Sequence, residues 1–222
     1  MENIVKITSS KYLCQNVIQF RLEKPAGYTF IAGQATEISI NRAAWVDKKK
    51  PFTFTGLADD PFLEFTIKIY PDSAEGVTKE LSRLNVGDEL IIREAWGLIA
   101  YKGPGYFIAG GSGMTPFIAI LRQLRKENKL TGNKLFFSNR GDRDIFLAGE
   151  LKSMLGADAV FLVSDQEDSC FDKRRIDETF LKAEVSDFGR HFYICGPDPM
   201  VVQIKEILTG LGANADAVVF ER

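Results

Sequence analysis

The apolar positions of the chain change their period once. From Ile4 to about Ala100 they come in short alternating runs, which predict strands at residues 4–8, 17–22, 36–40, 52–55, 63–70 and 89–93. Turn residues separate the runs at 25–27, 58–61 and 87–88, and short strands spaced this regularly predict a closed or nearly closed β-barrel. One helix interrupts them, because Val77, Leu81 and Leu84 recur at helical spacing behind Gly76. Beyond Gly103-Pro104-Gly105 the strands become continuous apolar runs, at 106–109, 134–137, 159–163 and 191–194. They alternate with helical stretches at 115–128, 145–155, 176–183 and 197–208, before a last strand at 217–220. Strand–helix alternation predicts a parallel sheet with crossover helices. The change near Lys102–Pro104 divides the chain into residues 1–102 and residues 103–222.

Composition narrows the function. Hydrophobic residues make up 45% and there are 17 Phe, which excludes a disordered chain and supplies side chains for a core and for planar ligand surfaces. A net charge of −2 gives no long-range pull toward nucleic acid or an anionic membrane. No apolar run is long enough to span a bilayer, and Lys6 and Lys11 interrupt the first stretch where a signal-peptide core would lie. The expectation is a cytoplasmic protein with neither nucleic acid nor membrane as a partner. Cys14, Cys170 and Cys195 are odd in number and far apart, which suits a reducing compartment, and they lack the spacing of an iron–sulfur cluster. No metal site is expected, so an electron carrier here would be organic.

The first strand of the second half, Tyr106-Phe107-Ile108-Ala109, runs into Gly110-Gly111-Ser112-Gly113-Met114-Thr115-Pro116. A helix carrying Phe117, Ile120, Leu121 and Leu124 follows. Strand, glycine loop and helix present backbone N–H groups and a positive helix end to a pyrophosphate, and glycines let the ligand approach closely. A plain structural turn is the other reading of such a loop taken alone. Pro116 is tolerated in a first turn, yet it stands where the common dinucleotide fingerprint has its third glycine, which points to a different nucleotide-binding lineage.

Gly111, Ser112, Gly113, Met114, Thr115 and Pro116, taken with the later Cys195-Gly196-Pro197-Asp198-Pro199-Met200, resemble the pyridine-nucleotide half of ferredoxin–NADP reductase-type flavoproteins. In the first half, Lys50-Pro51-Phe52-Thr53 resembles that family's Arg-x-Tyr-Ser/Thr motif. Ile67-Lys68-Ile69-Tyr70 resembles its later flavin-contacting strand, and Gly76-Val77-Thr78 its pyrophosphate-binding helix start. The resemblance runs in order across nearly the whole chain. It implies a two-domain fold: an N-terminal antiparallel Greek-key β-barrel that binds FAD, then a C-terminal α/β parallel-sheet domain that binds NADPH or NADH.

The resemblance also implies roles. Phe52 offers a planar face, the Thr53 hydroxyl pairs with flavin N5, Lys50 neutralises pyrophosphate, and Thr78 with nearby N–H groups receives phosphate. Two positions depart from the family. Lys50 replaces arginine, giving a point charge for a fork, and Phe52 replaces tyrosine, losing a hydroxyl. Without the downstream matches, Lys48–Lys50 reads as a solvated charge run, and Phe52 and Phe54 as strand residues, one or both in the core. Cys195 is implied to lie beside the nicotinamide as a positioning residue, burial for packing being the alternative. Chain ends of the family fold over the flavin, which would make Phe220 a shield and Glu221 a proton carrier near N5; a frayed terminus is the other reading. His191 reads as structural. Ser138, Asn139 and Arg140 fall near the adenosine ribose. No acid stands at that strand end, and Arg140 or Arg143 suits a 2′-phosphate. Against this, the stretch 138–151, with Asp144-Ile145-Phe146-Leu147 and Glu150-Leu151, is similar to NADH-using cytochrome b5 reductases, so the nucleotide stays open.

The family's common acceptor is a soluble electron carrier, flavodoxin or ferredoxin. Lys48–Lys50 and the cations Arg122, Arg125, Lys126 and Lys129 suit an acidic carrier, unless they are ordinary solvated faces. Two rivals remain. One is a reductase of free flavin or ferric chelates; the other is a non-catalytic electron-transfer subunit, against which the lack of a C-terminal cysteine cluster argues.

Overall fold

The computed structural model describes residues 2–70, 76–97, 99–214 and 218–220, the last of these, Phe220, by its backbone only. The chain divides into two compact units, Met1–Leu98 and Ile99–Arg222.

The first unit is built from β1 (Asn3–Cys14), β2 (Val17–Glu23), β3 (Ala35–Ile40), β4 (Lys50–Thr53), β5 (Phe62–Lys68) and β6 (Glu89–Ile92), with a short helix α1 (Val77–Leu81) between the last two strands. The strands are antiparallel in the order β4-β3-β6-β1-β2-β5, a Greek-key arrangement. The two ends of that order meet. Phe54 and Phe65 form an antiparallel bridge and the Thr55 N–H donates to the Glu64 carbonyl at 2.8 Å, which closes the sheet into a barrel. Phe54 is wholly buried at the closure, stacked on Phe30 with centroids 4.0 Å apart and tilted against Phe65 at 4.9 Å. Val77 and Leu81 of α1, with Leu84 beyond it, pack into the same core. β1 extends past the expected residue 8 because its ladder with β2 carries Ser10, Lys11 and Tyr12 opposite Phe20, Gln19 and Ile18. No apolar alternation in β1 itself announces that extension.

The second unit holds β7 (Gly105–Gly110), β8 (Lys134–Asn139), β9 (Ala159–Val163), β10 (His191–Cys195) and β11 (Val218–Phe220), all parallel, in the order β11-β10-β7-β8-β9. Its helices are α2 (Thr115–Lys126), α3 (Ala148–Leu155), α4 (Glu178–Glu184) and α5 (Asp198–Gly210). On one face Phe107 meets Phe117 of α2 edge-on at 5.2 Å, and Phe137 meets Phe146 at 5.3 Å. On the other face Phe136 meets Phe180 of α4 at 5.1 Å. α3 starts later than expected. Asp142–Asp144 form a 3-10 turn and Leu147 takes a left-handed φ of 57°, so Phe146 packs into the core from outside the helix. α4 is capped by Asp177, whose carboxylate accepts from the Phe180 N–H at 2.8 Å.

The entry to this unit is pinned by Tyr193. Its buried hydroxyl accepts from the N–H groups of Lys102 at 2.9 Å and Gly103 at 3.0 Å, and donates to the Gly103 carbonyl at 2.8 Å. Burial pushes the phenol's pKa up, which keeps it protonated. Among the described residues no helix is long and apolar enough to cross a membrane.

Candidate functional site

Strand order in the second unit reverses at β7, with β8 on one side and β10 on the other, and open parallel sheets bind ligands beyond the strand ends at such a switch point. Here β7 ends in Gly110, a 3-10 turn follows at Gly111–Met114, and α2 begins at Thr115 with Pro116 in its first turn. Gly111 has φ 54°, a left-handed conformation. Gly110 and Gly113 have a different reason to be glycine. A Cβ on Gly110 would overlap the Met200 sulfur and lie 3.0 Å from Pro197 Cδ. One on Gly113 would overlap the Cys195 carbonyl and lie 2.6 Å from the Gly196 nitrogen. The two motifs, far apart in sequence, form one backbone joint across the ends of β7 and β10. The close approach that demands these two glycines is therefore between two parts of the protein, rather than between protein and ligand as the sequence reading has it.

That joint leaves half-buried Gly111 and Ser112 beside the start of a twelve-residue helix. The first turn of α2 holds no acid and its last turn carries Arg125 and Lys126, so charge and dipole favour an anion at its N-terminal end. Met114 and Pro116 are buried, and the Thr115 hydroxyl donates to the Ser112 carbonyl at 3.0 Å. Cys195 is 8% exposed at the end of β10, Gly196 and Met200 are half-buried, and Pro197 is exposed.

The end of β8 carries the adenosine-side candidates. Ser138 pairs with Gly110 in the parallel ladder. Asn139 is 6% exposed, and neither its Nδ2 nor its Oδ1 has a hydrogen-bond partner among the described residues. The Arg140 side chain is 88% exposed, with Nε 3.9 Å from an oxygen of Asp165; Arg175 approaches the other oxygen of that carboxylate at 3.4 Å. Asp165 is held there by its own N–H, which donates to the Arg140 carbonyl at 3.0 Å. No acid stands at the end of β8, but one stands just past the neighbouring strand, β9. The signal was its position just past the apolar run Ala159–Val163.

The basic cluster on α2 and just beyond it is less available than its sequence suggests. Arg122 makes a two-pronged pair with Glu150 at 2.6 and 2.9 Å, Lys129 pairs with Glu127 at 2.8 Å, and Arg125 reaches the Ser153 hydroxyl at 3.4 Å. His191 lies at the opposite, N-terminal end of β10, away from the switch point; its buried Nδ1 has no partner among the described residues.

In the first unit, β4 carries Lys50, Pro51, Phe52 and Thr53, in register with Ile38, Glu37, Thr36 and Ala35 of β3. Lys50 and Pro51 are exposed, and Lys50 has no ion pair among the described residues. Phe52 and Thr53 are half-buried; Phe52 packs one side against the barrel core that Phe54 completes. Neighbouring Lys48 lies over the Trp45 ring at 4.5 Å, and Lys49 is 4.0 Å from Glu2. On β5 the Ile67 side chain belongs to the core, so only its main chain can meet a ligand, whereas Lys68 is half-buried. Tyr70 is 50% exposed, and its N–H donates to the Thr78 hydroxyl at 3.4 Å, tying the end of β5 to the start of α1. Gly76 precedes that helix with extended backbone, and Val77 is buried beneath it. The Phe220 backbone pairs with Ile194, while its side chain and Glu221 lie outside the described residues.

These donor sets fit two nucleotide cofactors. An exposed ammonium, a half-buried ring and a hydroxyl follow one another along β4, which suits a flat heterocycle carrying phosphates. The helix start and the unpaired amide of Asn139 in the second unit suit a dinucleotide.

Comparison with known proteins agrees. The family described as FAD-binding domain matches residues 2–132, and the one described as oxidoreductase NAD-binding domain matches residues 107–206. The chain is 25% identical over 235 residues to the reductase component of propane 2-monooxygenase from Rhodococcus jostii (strain RHA1), covering 98% of the chain and 62% of that protein. It is 26% identical over 189 residues to NADH-cytochrome b5 reductase 3 of Rattus norvegicus, covering 68% and 63%. The chain thus spans less than two thirds of the length of these relatives. Its fold is shared with the CS-b5R domains of human Ncb5or, at a TM-score of 0.86 and 21% identity over 100% of this chain and 70% of that one. It is shared too with a ferredoxin NADP+ reductase from Neisseria gonorrhoeae, at 0.84 and 18% over 99% and 98%. A closed antiparallel barrel, a parallel sheet with its two motifs joined at the switch point, and a flavin-domain match over more than half its length mean that the chain belongs to the ferredoxin–NADP reductase-type flavoprotein family, with an FAD-binding and an NAD-binding domain.

Proposed function

We propose that the protein is a flavoprotein reductase that takes a hydride from NADH and delivers electrons to a protein acceptor. The observation that carries this reading is the joint between Gly110–Gly113 and Cys195–Met200, which sets a phosphate-accepting helix start at a switch point in a chain that also bears the Lys50–Thr53 motif. Bound FAD supplies the hydride-accepting and electron-releasing chemistry. The chain's own residues do the positioning. Phe52 and Tyr70 cover the ring, Thr53 hydrogen-bonds its reactive nitrogen, and Lys50 with Thr78 and the Gly76–Val77 backbone holds pyrophosphate. Ile67 and Lys68 contribute main chain and stem. In the second unit Ser112 and the start of α2 hold the nicotinamide nucleotide's pyrophosphate, Ser138–Arg140 flank its adenosine, and Cys195 with Gly196 shapes the nicotinamide pocket.

Asp165 favours NADH. Its carboxylate occupies Arg140 and Arg175, the cations that a 2′-phosphate would need, and would itself repel that phosphate. The acceptor of this reading is a soluble carrier, flavodoxin or ferredoxin. An oxygenase component is the second reading, favoured by the match of nearly the whole chain to the reductase component of a propane monooxygenase.

The purified protein should be yellow, should release FAD on denaturation, and should bleach anaerobically with NADH sooner than with NADPH. Carrier reduction should then weaken as salt rises. A colourless protein that takes up no FAD ends the proposal, and bleaching without transfer to any protein carrier ends the acceptor part of it.

A further inference from the structure

We propose that an open cavity on the outside of the barrel binds a guanidinium group, with Glu37 as its carboxylate partner and Trp96 as its stacking face. A β-bulge makes this cavity. Ile38 of β3 pairs with Ile92 of β6, and Ala35 is bridged to Trp96, so three steps along one strand match four along the other. Ile92 and Ala95 both pack against the barrel core. Strict alternation puts one outward residue between neighbouring core-facing positions, and here two stand between them, Arg93 and Glu94. The Thr36 hydroxyl holds the distortion, accepting from the Arg93 N–H at 3.0 Å and donating to the Arg93 carbonyl at 2.7 Å.

The bulge leaves a cavity of about 310 Å³. Its walls are Arg93, Glu94 and Trp96 from the bulged segment, Glu37 from β3, and Lys49 and Glu2 beside them, all within the first unit. Lys50, Phe52 and Thr53 are not among them. Glu37 is in register with Pro51, whereas the next residue, Phe52, packs against the barrel core, so the cavity opens on the other face of the sheet from Phe52.

The cations in this cavity are already engaged. Arg93, with its side chain 11% exposed, gives both terminal nitrogens to the Ser39 hydroxyl at 3.1 and 3.2 Å and its Nε–H to Glu2 at 2.8 Å. Lys49 lies 4.0 Å from the same Glu2 carboxylate. Glu37 is half-buried, and its carboxylate has no hydrogen bond or ion pair among the described residues. With three carboxylates to two cations, the walls carry a net negative charge that favours a positive ligand.

Trp96 narrows the kind of cation. It is 46% exposed and sits opposite Ala35, and Glu37 follows Ala35 on the same face of β3. Ring and carboxylate are therefore diagonal neighbours across the sheet, a spacing that lets long side chains meet one ligand between them. An indole face attracts any cation, but a flat guanidinium also stacks on it and offers a carboxylate two parallel N–H groups, which a point-like ammonium does not.

The test is NMR titration of FAD-loaded protein with methylguanidinium chloride, read at the indole N–H signals of the chain's two tryptophans, Trp45 and Trp96, which Trp96→Phe tells apart. The Trp96 signal should shift to saturation while that of Trp45 stays in place. Glu37→Gln should weaken binding about tenfold, within the range for a charge-assisted hydrogen bond, with melting temperature and FAD content unchanged because the carboxylate has no partner to lose. A short arginine peptide with blocked ends separates the sources: tighter binding than methylguanidinium assigns the group to a partner protein's arginine, and weaker binding assigns it to a free small molecule. A shift that never saturates, one that sodium chloride reproduces, equal binding of methylammonium, or an affinity that Glu37→Gln leaves unchanged overturns the inference.

Discussion

Gly113 and Cys195 stand backbone against backbone, so close that any side chain on the glycine would enter the cysteine's carbonyl group. Since that neighbour is main chain at a strand end, it has no rotamer by which to yield. Gly113→Ala should destabilise the second unit by about 1–3 kcal/mol or more, the cost of overpacking, and weaken nucleotide binding with it. Gly149→Ala is the matched control: it lies within α3 with open space around its Cβ position, and should stabilise by about 0.5–1 kcal/mol. Urea unfolding of the two variants should shift in opposite directions. Equal shifts would mean that the joint is looser than described.

Lys50 is exposed and unpaired among the described residues, so its charge should matter to the cofactor and little to the fold. Lys50→Gln should raise the FAD dissociation constant about tenfold, within the range for a charge-assisted hydrogen bond, and leave apoprotein melting unchanged. Lys50→Arg should slow FAD release, because a guanidinium grips a pyrophosphate with two prongs where an ammonium has one point of charge. An unchanged release rate in both variants would remove Lys50 from the flavin site.

Asp165→Asn frees Arg140 and Arg175 and removes the repelling charge. The ratio of kcat/KM for NADPH over NADH should rise about fivefold or more, a like-charge contact being worth at least about 1 kcal/mol near a surface. Steady-state kinetics with both nucleotides decide it, and a ratio that does not move would send nucleotide choice elsewhere.

The Glu184 carboxyl is held below its ordinary range by the Lys134 ammonium first and the Arg174 guanidinium second, at 2.8 and 2.7 Å. Asp172 is likewise lowered by Arg174. A folded-state pKa below the unfolded one gives stability that is complete above the ordinary carboxylate range and drains away as pH falls through it toward the folded value. Melting temperature should therefore drop below about pH 4.5 in wild type and less steeply in Glu184→Gln, with salt narrowing the difference because the pair is partly exposed.

Where local pattern and tertiary role agree, the sequence was legible. β9 sits where its apolar run predicts, and the strand that leads into the glycine loop and the helix after it follow the change of period at Gly103–Gly105. Boundaries failed where partners decide. Ser10–Tyr12 are strand only because β2 lies alongside, and Ile145 and Phe146 look helical but precede a left-handed Leu147. The site split in the same way. The glycine and cysteine motifs could be read, but that they touch could not, since spacing along the chain says nothing of two strand ends meeting. That Asp165 faces Arg140, and that the Asn139 amide has no partner among the described residues, depend on neighbours from other segments, and no window of sequence contains those contacts.

The Tyr193 clamp bears on how the chain can be cut. A fragment meant to reproduce the nucleotide half and begun at Pro104 would strip the phenol of its three backbone partners and bury it bare, so its failure to express would say nothing about autonomy. A fragment begun at Ile99 carries Tyr101, Lys102 and Gly103 with it, and that is the truncation to make.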